Sequence, residues 1–315
     1  MQEKPHHPVF KGYEPWSGLV DAGFDTNFVG VRVRYTFANI EYKETRMVHT
    51  EYPCFDNKYF EWIDLLESIE GAQGGFTMIE LGAGYGKWLV RAALALRQRK
   101  ATIVPCLIGV EAEPTHFQWM KIHFRDNGLD PEDHLLVKTA IAAEDGCGFF
   151  LTGHSREWYG QSLVPDDWSM PRPSPRRNLA ALLRFRQRNE EPPWLSAKIT
   201  RVKTISLESL LRPLRFVNFV YVDVQGAEYD VLKAASGEID EKVRRIHIQT
   251  HDKETAGTRG KDVEGGLHDV FNAMGWTIIR DYPPKSKSET PYGEISFDDG
   301  IQTWVNPKPL DSGRC

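Results

Sequence analysis

The chain has 315 residues, 41% of them apolar, enough to bury one large core or two small ones. Its 39 basic and 44 acidic residues leave a formal charge of −5, so no global electrostatic attraction to nucleic acid is expected. Four widely separated cysteines, Cys54, Cys106, Cys147 and Cys315, form no C-x-x-C pair, which argues against a zinc site or a disulfide framework and for a reduced, cytoplasmic setting.

In chain order, residues 1–57 lack the apolar core of a signal peptide. They are rich in aromatics, Gly and Pro with weak periodicity, and are expected to form a loosely structured extension or cap. "NKYFEWIDLLESIEG" places Phe60, Ile63, Leu65, Leu66 and Ile69 on a helical stripe that ends at Gly71. Five strand-like runs follow: "FTMIEL", "TIVPCLIGVE", "HLLVKTAIA", "RFVNFVYVDV" and "VRRIHIQT". Helical stretches such as "KWLVRAALALRQ", "PTHFQWMKIHFRDN" and "AEYDVLKAAS" separate some of them, the alternation of an α/β fold with a parallel sheet and helices on both faces. "WTIIRDY" and "GEISFDDGIQTWVN" read as two further strands joined by a loop, closing the sheet at one edge. No segment offers the roughly eighteen uninterrupted apolar residues of a membrane span. A Pro-rich basic insertion at about 155–200 interrupts the pattern, and Arg176, Arg177 and Arg184 make it a candidate surface for an anionic substrate or a partner, or else a solvated basic face.

The stretch "IELGAGYGKW" turns the first sheet strand into a helix, where ligands of open α/β sheets bind. Gly86 and Lys87 are followed by Trp88, and position 81 is Leu, so the phosphate-binding G-x-x-x-x-G-K-[ST] pattern is absent. Gly82, Gly84 and Gly86 are spaced G-x-G-x-G, with Lys87 where a dinucleotide fingerprint needs its third glycine. What remains is the [DE]-x-G-x-G-x-G loop of the class I methyltransferases, which "ELGAGYG" resembles. Glu80 is then expected near the amino end of the methionine moiety, and Gly82 to Gly86 are expected to admit the cofactor against the backbone. Glu111, at the next strand end, can accept hydrogen bonds from both ribose hydroxyls.

"YVDVQGAEYDVLKAA", residues 221–235, resembles the D-V-E-G-A-E-x-x-V-L-K-G signature of FkbM-type methyltransferases. "GVEAEPTHFQWMKIHF", "AIAAEDGCGFF", "GQSLVP" and "TISLESLL" are similar to other segments of that family, so the resemblance covers about residues 76–305. It implies a Rossmann-like class I methyltransferase sheet, mostly parallel with an antiparallel edge strand, in a domain of about 58–310. It implies cofactor contacts from Glu80, Gly82, Ala83, Gly84, Gly86 and Glu111, backbone contact near Ala142, and site roles for Asp223, Glu228 and His251. The family's usual acids are replaced by Gln225 and Gln249. Both changes remove negative charge that a divalent cation would prefer, so no metal is expected to be required.

The implied activity is S-adenosylmethionine-dependent O-methylation of a sugar, glycan or secondary-metabolite hydroxyl. His251 is the first candidate for the base because imidazole titrates near neutrality, and Asp223 is the second. His247, an even number of residues earlier on the same strand face, is expected to be structural. Two alternatives stay open. One is methylation of an amine or nucleic acid, against which stand the DVQG at residues 223–226, where amino-methylating enzymes carry D-P-P-Y, and the acidic charge. The other is a catalytically silent scaffold that binds a partner through the basic insertion.

Overall fold

The computed structural model describes residues 5–37, 44–153, 161–164, 198–251 and 262–309. Most of the basic insertion, with Arg176, Arg177 and Arg184, lies outside the described residues.

The N-terminal segment forms a 3-10 helix, Pro8–Gly12, and four short strands: β1 (Ser17–Val20), β2 (Phe24–Asp25), β3 (Val33–Arg34) and β4 (Arg46–His49). β1 pairs antiparallel with β4, and β2 with β3. Phe10, Tyr13, Phe28 and Val31, at most 2% exposed, enter the principal core. Arg34 clamps Asp126 through two hydrogen bonds of 2.6 and 2.8 Å. Asn127 accepts from the Arg32 N–H at 2.8 Å and donates to the Arg32 carbonyl at 2.9 Å, so one side chain does the work of a β-bridge. The weak periodicity of this segment reflects few regular elements; it does not reflect loose packing.

α1 (Asn57–Glu70) starts where the Asp56 carboxylate accepts the Lys58 N–H. The alternating unit follows: β5 (Phe76–Leu81), α2 (Lys87–Arg99), β6 (Pro105–Val110), α3 (Pro114–Asp126) and β7 (Leu135–Val137). β8 (Ala140–Ala142), β9 (Gly146–Thr152), β10 (Leu163–Val164) and β11 (Lys198–Ser206) form an accessory sheet in the order β10-β9-β11-β8. "HLLVKTAIA", expected as one strand, is therefore divided. Leu135–Val137 edge the main sheet, and Ala140–Ala142 pair with β11 after the chain crosses at Lys138 and Thr139.

The chain returns through α4 (Leu207–Leu211), β12 (Phe219–Val222), α5 (Glu228–Ala234), α6 (Ser236–Lys242), β13 (Arg245–Thr250) and α7 (Val263–Ala273). It ends in β14 (Thr277–Tyr282), a hairpin of β15 (Ser286–Thr290) and β16 (Gly293–Phe297), and β17 (Gly300–Val305). Among the described residues the main sheet has seven strands in the order β14-β17-β13-β12-β5-β6-β7. β5, β6, β7, β12 and β13 are parallel, and β17 runs antiparallel to both of its neighbours. The C-terminal strands do close the sheet at one edge, with the antiparallel strand one position in. "GEISFDDGIQTWVN", expected as a single strand, supplies both β16 and β17 because "DDG" turns the chain between them.

Strand side chains alternate between two cores. Met78, Phe219 and Tyr221 face α1, α2 and α3, whereas Ile79, Val220, Val222 and Ile248 face α4 to α7. Burial on both faces explains the continuous apolar runs of β5 and β12. His247 is fully buried and bonds Asp64 of α1 through Nδ1 at 2.8 Å. Burial alone would raise the Asp64 pKa, but Arg280, His247 and Arg245 outweigh it and hold the carboxyl at about 2. Among the described residues no helix is long and apolar enough to cross a membrane.

Candidate active site

The glycine loop joins β5 to α2 at the carboxyl edge of the sheet. Gly82 and Gly86 both have φ of +72°. A Cβ on Gly82 would stand 1.9 Å from the Asp223 carbonyl oxygen, and one on Gly86 2.8 Å from Met120. These two glycines therefore admit the protein's own chain, from the turn after β12 and from α3. Gly82 also lines the cleft beside the loop. The N–H groups of Gly82 and Ala83 both donate to the Val110 carbonyl, at 3.1 and 2.9 Å, which ties the loop to β6.

Glu80 is 2% exposed, and its carboxylate accepts the N–H groups of Trp88 and Leu89 at 3.2 and 3.0 Å. It serves as the cap of α2, because Gly86 at the N-cap position has no side chain to do so. Burial pushes its pKa up to about 8, against the pull of those two N–H donors. Glu80, Ala83 and Gly86 do not line the neighbouring cleft. They support the loop from behind the cleft wall.

Gly82 and Gly84 floor that cleft, which holds about 610 Å³ of empty space with its open mouth included. Glu111, 7% exposed, forms one wall. Its oxygens accept the N–H groups of Gly84 at 2.6 Å and Glu113 at 2.7 Å, and burial raises its pKa to about 7. Each carboxylate oxygen has a second lone pair, so acceptor capacity remains. Thr139, Ala140 and Ile141 supply backbone and apolar surface, slightly before the expected Ala142, which does not line the cleft.

The opposite wall is the turn after β12, with Asp223, Val224 and Gln225. Gln225 holds a left-handed φ of +53°, and its amide donates to Asp223 Oδ1 at 3.0 Å. A non-glycine residue in that conformation is strained and persists only where its surroundings fix it. Glu228 is one of those fixtures. Fully buried at the start of α5, it accepts from the N–H groups of Val224 at 3.3 Å and Gly226 at 3.0 Å and pairs with His251 Nδ1 at 2.7 Å.

His251 is 4% exposed and does not line the cleft. Its Nε2 lies 3.6 Å from Asp223 and 3.9 Å from Asp299. Burial would lower its pKa, but the Glu228 hydrogen bond and the surrounding carboxylates prevail and raise it to about 9. An imidazolium cannot accept a proton, so the expectation that His251 is the base at neutral pH is not supported. Asp223, the second candidate, is half-buried and lines the cleft wall. Its pKa is raised by burial, with His251 pulling the other way.

Gln249 faces away from this cluster and donates to Glu61 of α1 at 2.6 Å. Among the described residues no group of His, Cys, Asp or Glu is arranged to hold a metal ion. The sequence reading assigned no role to His116, Phe150, Gln161 and Ser162, which also line the cleft. Gln161 and Ser162 stood inside the quoted "GQSLVP", the one available signal. Gln161 Nε2 and Ser162 Oγ are buried without a hydrogen-bond partner. Apolar walls, a carboxylate and unpartnered polar atoms fit S-adenosylmethionine, which combines a flat base, a ribose and charged ends.

Residues 82–274 match the Methyltransferase FkbM domain. The chain is 25% identical over 300 residues to a Jannaschia sp. (strain CCS1) protein named as a methyltransferase, covering 94% of this chain and 96% of that one. A solved FkbM methyltransferase from Methylobacillus flagellatus KT is similar at 11% identity and a TM-score of 0.40, over 81% of this chain and 56% of the other. A SAM-dependent methyltransferase from Agrobacterium tumefaciens is similar at 9% identity and a TM-score of 0.44, over 92% and 72%.

Proposed function

Because this chain belongs to the FkbM methyltransferase family, we propose that it methylates a hydroxyl group of a sugar, glycan or secondary metabolite. The carrying observation is one cleft that sets Asp223 across from Glu111 at the carboxyl edge of the sheet. Bound S-adenosylmethionine supplies an activated methyl carbon. Glu111 is the residue to hold the ribose hydroxyls, and the apolar lining excludes water that would compete for the methyl group. An alcohol is a poor nucleophile, and a carboxylate taking its proton contributes typically about 10² to 10⁴-fold. Asp223 fills that role. Gln225 orients its Oδ1, and the His251 charge at 3.6 Å favours its ionised form. This need for a base, together with DVQG at residues 223–226, favours oxygen over nitrogen as the acceptor atom. A cytoplasmic setting belongs to the same proposal and rests on the exposed thiols Cys54 and Cys147 and on the absence of any C-x-x-C pair from the sequence.

Titration calorimetry with S-adenosylmethionine and its demethylated product tests the cofactor half. Binding should weaken at least about tenfold in Glu111→Ala, the worth of one charge-assisted hydrogen bond. Methyl transfer to a panel of sugars and polyketide-like alcohols tests the acceptor half. There Asp223→Asn should lower turnover about 10²-fold or more while leaving cofactor affinity within a few-fold. Absence of cofactor binding by folded protein would remove the proposal.

A further inference from the structure

Beneath the accessory sheet the cleft becomes an apolar slot. Ala112, Ala140 and Phe150 form one buried cluster there, with Leu163 and Val202 packed against it. Next to that slot stand the two polar atoms without partners, Gln161 Nε2 and Ser162 Oγ, on residues only 8% and 2% exposed. A buried polar group left unpaired costs about 1–3 kcal/mol, so a native fold that keeps two in one cleft calls for a partner from outside.

The backbone fixes where these side chains can go. The Ser162 carbonyl accepts the Leu151 N–H at 2.9 Å, and the next residues pair with β9 in the register Leu163↔Phe150 and Val164↔Phe149. That pairing anchors the backbone of Ser162 beside the cleft, which both side chains line. An apolar slot lined also by an amide and a hydroxyl matches a purine, whose faces are apolar and whose edge carries ring-nitrogen acceptors and an exocyclic amine.

Resting on the cofactor reading above, we infer that Gln161 and Ser162 are the residues that recognise the polar edge of the adenine base. Glu111 holds the ribose, and the accessory sheet, an addition beyond the seven main strands, supplies the base contact. Glu111 and the Gln161–Ser162 pair thus divide cofactor recognition between two sheets.

Calorimetry on the full chain separates the possibilities, using S-adenosylhomocysteine and its deaminated counterpart S-inosylhomocysteine. Deamination replaces the amine by an oxygen and turns one ring acceptor into a donor. Wild-type protein should prefer the adenosyl compound about tenfold or more. Gln161→Ala should weaken adenosyl binding about tenfold and shrink that preference toward unity, and Ser162→Ala should act in the same direction. Gln161→Met, which keeps the side-chain volume, should behave like Gln161→Ala if the amide is what matters. Variants with unchanged affinity and preference, in a protein whose wild type binds, would assign the two atoms to ordered water and overturn this inference alone. A wild type that binds neither compound would overturn the cofactor reading together with it.

Discussion

His251 shows how far a residue's chemistry depends on its neighbours. Alone, its imidazole would titrate near neutrality; beside Glu228, Asp223 and Asp299 it is raised to about 9. A histidine whose folded value lies above the unfolded 6.5 contributes stability in full below pH 6.5, and loses that contribution as pH rises through 9. Glu228→Gln should therefore destabilise the protein by on the order of 3 kcal/mol near pH 6, since it breaks a buried pair. The gap to wild type should shrink once pH exceeds 9, where the imidazole is neutral in both proteins. Urea unfolding at pH 6 and pH 9.5 measures it, and a gap that does not change with pH would refute the ion pair. The family resemblance implied site roles for Asp223, Glu228 and His251, and the structure brings the three together. Which of them faces the cleft depends on the turn at Gln225, whose left-handed backbone no spacing rule announces.

At the scale of elements the glycine loop tells a similar story. Its spacing located the strand-to-helix turn, yet Gly82 and Gly86 make room for Asp223 and Met120, residues 141 and 34 positions away in the chain. Gly82→Ala combines a disfavoured φ with a backbone clash, whereas Gly275→Ala, at φ +76° with nothing within 4 Å, meets only the conformational cost. The latter should lose about 1 kcal/mol and Gly82→Ala clearly more, about 3 kcal/mol. Chemical denaturation of both variants compares them. Equal losses would mean the turn after β12 simply moves aside. Strand divisions were similarly hidden: Leu135–Val137 and Ala140–Ala142 read as one apolar run, and only pairing with β6 in one case and β11 in the other separates them.

Over the whole molecule, the N-terminal segment is part of the principal core, because Phe10, Tyr13, Phe28 and Val31 are at most 2% exposed within it. Deleting residues 1–37 should uncover apolar surface of α1 and α2. The product should be insoluble or should melt at least about 10 °C lower, as the loss of several buried aromatic side chains requires. A truncated protein with an unchanged melting temperature would make the segment a separable cap. Sequence alone determined the α/β alternation and the carboxyl-edge loop, because periodicity and short-range spacing are local properties written residue by residue, and the family resemblance added the signature carboxylates. Tertiary structure decided that Glu80 caps a helix while Glu111 faces the cleft, that His251 pairs with buried Glu228 and so has its pKa raised, and that Gln161 and Ser162 meet an apolar slot. Each of these turns on burial and on charges brought close by distant parts of the chain, and desolvation and Coulomb energy depend on distance in space.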